Sequence, residues 1–297
     1  MAQKIINKYL WIVDTIQRYG RITREELNNL WVKSSLSDGI PMSRRTFYNY
    51  RLGIAETFNI EIENDIYTYE YYIASQDSEN SSRLINMLLE SISMSDMLKD
   101  SHNMSNRILL ENVPSARKNL PTVMKALKSL NRITFTYSAY NRVNASHGVT
   151  IEPYCVRLFK QLWYVIGYNI KDKKIKTYSL DRISNLTINS ETFDLPNNFD
   201  ATTYFHNCFG IMTSQGTVKK VVLKATPNKA KYLRALPLHH TQSEEIHDQY
   251  SIFSYQLFLT NDLVAEILSH GADIQVIEPL ELRAIVIEQL KSALDNY

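Results

Sequence analysis

Across residues 4–19, Ile5, Tyr9, Ile12, Val13, Ile16 and Tyr19 recur three and four positions apart. That spacing marks one buried stripe on an amphipathic helix, which Gly20 ends. Thr23 with Glu26 three residues later is a capping-box pair, opening a second helix from Arg24 to about Lys33 that buries Leu27, Leu30 and Trp31. Gly39 and Pro41 break the chain. Ser43 suits the N-cap of a third helix, about Arg44 to Phe58, with Phe47, Tyr50, Leu52, Ile54 and Ala55 turned inward. The period then drops to two. Ile60–Glu63 and Tyr67–Tyr71 alternate around Asn64-Asp65, the pattern of a hairpin. Three helices followed by a two-stranded wing is the order of a winged helix-turn-helix.

Residues 75–82 (SQDSENSS) contain no apolar residue and read as a linker or a helix entry. Leu84, Ile85, Leu88, Leu89 and Ile92 give a helical stretch, and Arg107–Glu111 a short strand. Asn119-Leu120-Pro121 starts another helix to about Asn131, burying Val123, Met124, Leu127 and Leu130. The methionines at 87, 94, 97 and 104 read as adaptable packing. A connector with two apolar faces suits dimerisation.

From Arg132 the alternation returns. Ile133, Phe135 and Tyr137 form one strand; the polar loop 139–148 follows, and a strand runs from Thr150 to a turn at Phe159-Lys160-Gln161. Leu162–Tyr168, Lys176–Leu180 and Leu186–Ile188 complete five short strands, the signature of a small SH3-like or Sm-like barrel. Beyond an aperiodic bridge at Thr192–Asn207, strands at Val218–Ala225, Tyr250–Leu259 and Ile274–Ile277 alternate with helices opened by Pro227, by Asn261-Asp262 and by Pro279-Leu280. That β-α-β-α-β-α order predicts a small α+β sandwich. The fold class is therefore α+β multi-domain: a winged helix-turn-helix over 1–74, a helical connector over 75–131, a barrel over 132–192 and a C-terminal α+β domain over 193–297.

Composition sharpens this reading in two places. Residues 1–58 hold nine Lys/Arg against five Asp/Glu, leaving the other 239 residues 24 of the chain's 33 basic and 26 of its 31 acidic groups. A basic head on a near-neutral body fits a nucleic-acid-binding module. At 297 residues, with 44% hydrophobic and 22% charged, the chain can bury sizeable cores, yet no apolar run approaches a membrane span. The first twenty residues also lack the features of a signal peptide, so a cytoplasmic protein without a membrane partner is expected. Cys155 and Cys208 are too few for a disulfide framework and read as buried thiols.

The third helix carries the strongest chemistry. Ser43, Arg44, Arg45, Thr46, Tyr48, Asn49 and Arg51 cannot all be buried, and Thr23 and Arg24 open the preceding helix. Arg reads guanine bidentately, Asn reads adenine, hydroxyls bind phosphate, and a helix N-terminus attracts it. These nine residues are the expected contacts to double-stranded operator DNA. The wing, with Glu61, Glu63, Asp65 and Glu70, is too acidic to grip phosphate, so contact through the third helix is expected. There is no P-loop, GxSxG, HExxH or GxGxxG, and His239, His240 and His247 lack partners at metal spacing. Neither enzymatic activity, a metal nor a cofactor is expected.

The ordered segments EPYCVRLFKQLWYVIGY (152–168) and KTYSLDRI (176–183) resemble the core motif of WYL-domain proteins, with Val165 in place of the usual Leu. The resemblance covers essentially the whole chain as a bacterial WYL-family transcriptional regulator, including a C-terminal extension. It implies a sensor domain whose groove takes a nucleic-acid or nucleotide-like effector. The matching positions are Tyr154, Arg157, Tyr164 and Arg182, with Lys176 and Tyr178 nearby. Arginine forks and aromatic faces suit phosphate and base. Strand alternation sets Trp163 and Tyr164 on opposite faces, so Trp163 is assigned to the core and Tyr164 to the groove. The resemblance and the head together imply a homodimer on two half-sites. The alternative is an RNA- or single-strand-binding module with the barrel as its main site.

Overall fold

The computed structural model describes residues 2–74, 87, 116–140, 142–214 and 216–297. Apart from Met87, the connector elements expected between 75 and 115 lie outside the described residues. The chain divides into two compact units, 1–111 and 112–297.

In the first unit, α1 (Ala2–Tyr19), α2 (Arg24–Val32) and α3 (Arg44–Phe58) pack with a small antiparallel sheet. Its strands β1 (Ile22–Thr23), β2 (Ile62–Asn64) and β3 (Glu70–Ile73) lie in the order β1-β3-β2. Both expected caps form: Thr23 and Glu26 make the reciprocal capping box, and Ser43 accepts from the Thr46 amide. The core joins Leu10, Ile12, Val13 and Ile16 to Leu27, Trp31, Phe47 and Ile54. Three positions differ from expectation. Ile5 and Tyr19 are exposed because the buried stripe of α1 centres on Leu10–Ile16, and Leu52 lies on the outer face of α3. The hairpin also turns later than its alternation suggests. Asp65 accepts from the Tyr67 and Thr68 amides, so residues 65–69 form the turn and Tyr67 and Tyr69 project from it.

In the second unit, α4 (Leu120–Ser129) lies against a five-stranded antiparallel sheet. Its strands are β4 (Asn131–Tyr137), β5 (Ser146–Phe159), β6 (Leu162–Asn169), β7 (Lys174–Ser179) and β8 (Ile183–Thr192), in the order β7-β6-β5-β4-β8. The two edge strands are consecutive in the chain, separated only by the 3-10 turn Leu180–Arg182. Four Cα steps reach at most about 15 Å, whereas the edges of a flat five-stranded sheet stand at least roughly 19 Å apart. The sheet must therefore curl until its edges approach. The concave side holds Ile133, Phe135, Ile151, Val165, Tyr178, Leu180 and Ile183 under Val123 and Ala126 of α4. Met124 and Leu130, expected inside, are exposed. Gly167 sits where β5 bulges between Pro153 and Cys155, and a Cβ there would meet the Glu152 carbonyl oxygen at 2.3 Å. The β5–β6 turn is a two-residue connection, Lys160-Gln161, with both φ angles positive (46° and 64°), as the twist of a tight hairpin demands.

After α5 (Ala201–Phe205), the chain builds a second antiparallel sheet, β10-β11-β9-β12. It comprises β9 (Lys219–Ala225), β10 (Ser243–Ile246), β11 (Ser251–Leu257) and β12 (Ile274–Glu278), with α6 (Pro227–Ala235), α7 (Asn261–Ser269) and α8 (Leu280–Leu294). The order is thus β-α-β-β-α-β-α, with β10 as an extra hairpin strand. Thr260, rather than Asn261-Asp262, supplies the α7 cap. Leu223, Phe253, Tyr255, Leu263, Ile267 and Leu282 share one core. The β5–β6 hairpin meets the C-terminal layer where Phe159 packs edge-on against Phe209 and Lys160 pairs with Glu266 of α7 at 2.7 Å.

Candidate nucleic-acid interface and effector site

On α3, Arg44, Arg45, Tyr48 and Asn49 are exposed, and Arg45, Tyr48 and Asn49 share one face by helical spacing. No acidic residue lies in the first turn. The other expected contacts are engaged within the fold. The Ser43 and Thr46 hydroxyls bond each other at 2.8 Å, and the Thr23 hydroxyl is held by Glu26 at 2.7 Å. Arg24 reaches the Met42 carbonyl at 3.4 Å, tying the start of α2 to the start of α3. Arg51 donates through Nε and Nη2 to the Ile62 carbonyl and lies over the Tyr71 ring. It ties α3 to the wing, so its guanidinium is engaged within the fold.

Two of the wing's carboxylates are also spoken for. Glu63 accepts from the Tyr72 hydroxyl at 2.7 Å. Asp65 pairs with Arg21 at 2.9 Å, and the Tyr67 and Thr68 amides, followed by Arg21, hold its carboxyl below the usual range. Arg21 itself lies 4.7 Å over Tyr72. Sequence reasoning passed over Arg21, a cation two residues before the capping box, because its acidic partner lies 44 residues away.

In the curled sheet, register decides which residues meet. Arg157 is opposite Tyr164, and Tyr164 opposite Ser179, so these three line up across β5, β6 and β7. Trp163 packs with the concave core, as its assignment requires, and Tyr164 lies on the other face. Tyr164 is nevertheless only 8% exposed. Burial pushes its hydroxyl pKa up, and the nearby Arg182 pulls it back down.

The six expected ligand residues do not form one groove. Tyr178 pairs with Val165 and Lys176 with Gly167, which puts both on the face opposite Arg157 and Tyr164. Tyr178 is a core residue: its ring meets Phe135 and Tyr137 edge-on, its hydroxyl accepts from Asn169, and burial raises its pKa. Lys176 is paired with Asp172 in the β6–β7 turn. Tyr154 and Arg157 are roofed by the segment after β8. A row of rings runs Phe193–Tyr154–Phe199–Tyr204–Phe205, with neighbouring centroids 5.0–6.0 Å apart. It ends with the Arg157 guanidinium 4.1 Å over Phe205. Burial lowers the Arg157 pKa. Burial raises the Cys155 thiol to about 11 and pushes the Cys208 thiol upward too, so neither is an activated thiolate.

Arg182 occupies the turn between the edge strands. Its carbonyl accepts from the Ser138 amide at 3.1 Å, and its Nε lies 3.9 Å from Asp181 Oδ2, beyond hydrogen-bond range. Asp181 is instead engaged by the Ser179 hydroxyl. Arg182 Nε is buried with no hydrogen-bond partner among the described residues, and the guanidinium carbon lies 3.5 Å from the Tyr140 ring centre. Sequence reasoning missed Tyr140; the signal available was an aromatic residue in an otherwise polar loop. What the cluster Tyr164–Arg182–Tyr140 can do chemically is attract an anion and offer aromatic faces. No group of three or more His, Cys, Asp or Glu among the described residues is placed to hold a metal ion.

Residues 118–188 match the WYL domain, and residues 217–294 the WCX domain. No curated protein matches the chain. Similar solved structures include proteasome accessory factor B/C (PafBC) of Arthrobacter aurescens, 18% identical with a TM-score of 0.37, covering 98% of this chain and 47% of that one. Another is a CRISPR Cas-related protein, 12% identical with a TM-score of 0.41, covering 61% of this chain and 52% of that one. The chain spans about half the length of both.

Proposed function

We propose, from the premise that the chain is a WYL-domain protein with a WCX domain behind it, that it is a cytoplasmic, homodimeric, ligand-responsive transcriptional regulator. In this reading residues 1–74 are a winged helix-turn-helix that binds double-stranded operator DNA, and 75–131 connect and dimerise. Residues 132–192 are an Sm-like barrel that senses the effector, and 193–297 are the C-terminal extension.

The observation that carries the reading is the exposed basic start of α3, Arg44, Arg45, Tyr48 and Asn49 with no acidic residue in its first turn. Guanidinium groups beside a helix N-terminus suit phosphate and guanine edges. Arg182, with no carboxylate at hydrogen-bond distance, supports a nucleotide-like anion as effector. A ligand shifts the regulator only by binding its DNA-competent and incompetent states unequally.

Electrophoretic shift of promoter fragments by the full chain tests the DNA-binding half. Retarded complexes that weaken with Arg44→Ala and Arg45→Ala are expected. Absence of binding, or indifference to both substitutions, overturns it.

A further inference from the structure

We infer that Tyr140 is a base-stacking platform of the effector site, and that the effector accordingly carries an aromatic base together with a phosphate. This rests on the reading of the curled sheet as the sensor of a nucleotide-like effector and adds a residue to it.

Tyr140 lies in the β4–β5 loop, three residues beyond the end of β4. One face of its ring covers the Arg182 guanidinium at 3.5 Å, yet the residue is 79% exposed. A ring with one face on a cation and most of its surface in water has its second face open. An open π-face of that kind takes any nucleobase. The ring is also held where a stack needs it. The Ser138 amide bonds the Arg182 carbonyl, and the Ser179 amide reaches the Tyr137 hydroxyl at 3.4 Å, so the loop's root is pinned to the turn that carries Arg182.

The guanidinium beneath the ring is paired in charge with Asp181, but its Nε has no hydrogen-bond acceptor among the described residues. Asp181 is the paired carboxylate, but at 3.9 Å it makes no hydrogen bond to Arg182 and it is committed to Ser179. A phosphate on the ligand supplies hydrogen-bond acceptors to the guanidinium while its base extends the order Arg182, Tyr140, base. Inorganic phosphate satisfies only half of this arrangement, and so does an uncharged aromatic. Both single-stranded nucleic acid and a free nucleotide satisfy it whole.

The test measures binding to the full chain of three probes: fluorescent oligo(dT) of eight nucleotides, an abasic deoxyribose-phosphate oligomer of equal length, and dTMP. Tyr140→Ala is expected to weaken oligo(dT) binding about tenfold, Tyr140→Trp to preserve it, and the abasic oligomer to bind weakly and equally to both. Loss of dTMP binding in parallel assigns a mononucleotide; oligo(dT) binding alone assigns a strand. Because Tyr140 is exposed, unchanged melting temperature serves as the folding control. Binding weakened by Arg182→Ala but not by Tyr140→Ala overturns the platform and leaves the sensor reading intact. Binding indifferent to both substitutions, or no binding of any probe, overturns the sensor reading as well.

Discussion

The side-chain amide of Asn119 donates to the backbone carbonyl of Leu180 at 2.8 Å, across 61 residues of sequence. Its second hydrogen goes to the Ile183 carbonyl at 2.9 Å. One buried side chain at the start of α4 thus fixes both ends of the turn that presents Arg182. Asn119→Ala removes both donors from buried acceptors. It is expected to cost about 2 kcal/mol of stability, read as a lower denaturation midpoint, and to weaken oligo(dT) binding with Arg182 itself untouched.

Arg44 and Arg45 are separable from Arg51 by experiment. Replacing the first two by Ala is expected to leave the melting temperature nearly unchanged and to flatten the dependence of log affinity on log salt, by roughly one unit for each phosphate no longer neutralised. Arg51→Ala frees the Ile62 carbonyl and uncovers the Tyr71 ring. Its expected signature is a loss of about 1–3 kcal/mol in head stability with the salt slope retained. Equal salt slopes for all three variants would sink the distinction.

Tyr178→Phe asks whether that residue belongs to the core or to a binding face. Asn169 Nδ2 loses its buried acceptor at 2.7 Å, so a destabilisation of about 1–2 kcal/mol is expected by chemical denaturation. Affinity for any of the three probes should remain at the wild-type value.

His239 gives the second unit a dependence on acidity. Burial lowers its pKa from 6.5 to about 4, with the adjacent His240 adding to the effect and His206 and Arg157 also nearby. Between those two values the unfolded chain takes up a proton that the folded chain refuses. Stability is therefore full above pH 6.5 and falls as pH drops towards about 4. Thermal melts from pH 7 to pH 4.5 should show a steeper decline for the wild type than for His239→Gln, with the two curves converging at neutral pH.

What could be read in the sequence was what is decided locally. Thr23 with Glu26, and Ser43 with Thr46, act over three residues, and both caps form as their spacing indicates. The turn at Asp65 is equally local, yet it was obscured because Tyr67, Tyr69 and Tyr71 alternate like a strand. The carboxylate of Asp65 takes the amides that would have entered a ladder. For the proposed sensor site, alternation separates Trp163 from Tyr164 without any register. It does not tell which face Lys176 and Tyr178 share with β6, because that depends on pairing across a turn. The roof over Tyr154 and Arg157 was hidden for a different reason. Phe193, Phe199, Tyr204 and Phe205 have no period, and their common direction comes from the path of the chain rather than from its pattern.

The short step from β7 to β8 also fixes when the site comes into being. Strand β8 closes against β4, pairing Ile133 with Ile188, 55 positions apart, and pairings so far separated are slow to form. Tyr140 and Arg182 meet only after that pairing. A chain emerging from the ribosome with Arg182 already made, but β8 still unpaired, has the residues of the site without the site. On the proposed function, an effector binds the completed domain alone and shifts its folding equilibrium towards the closed form by mass action.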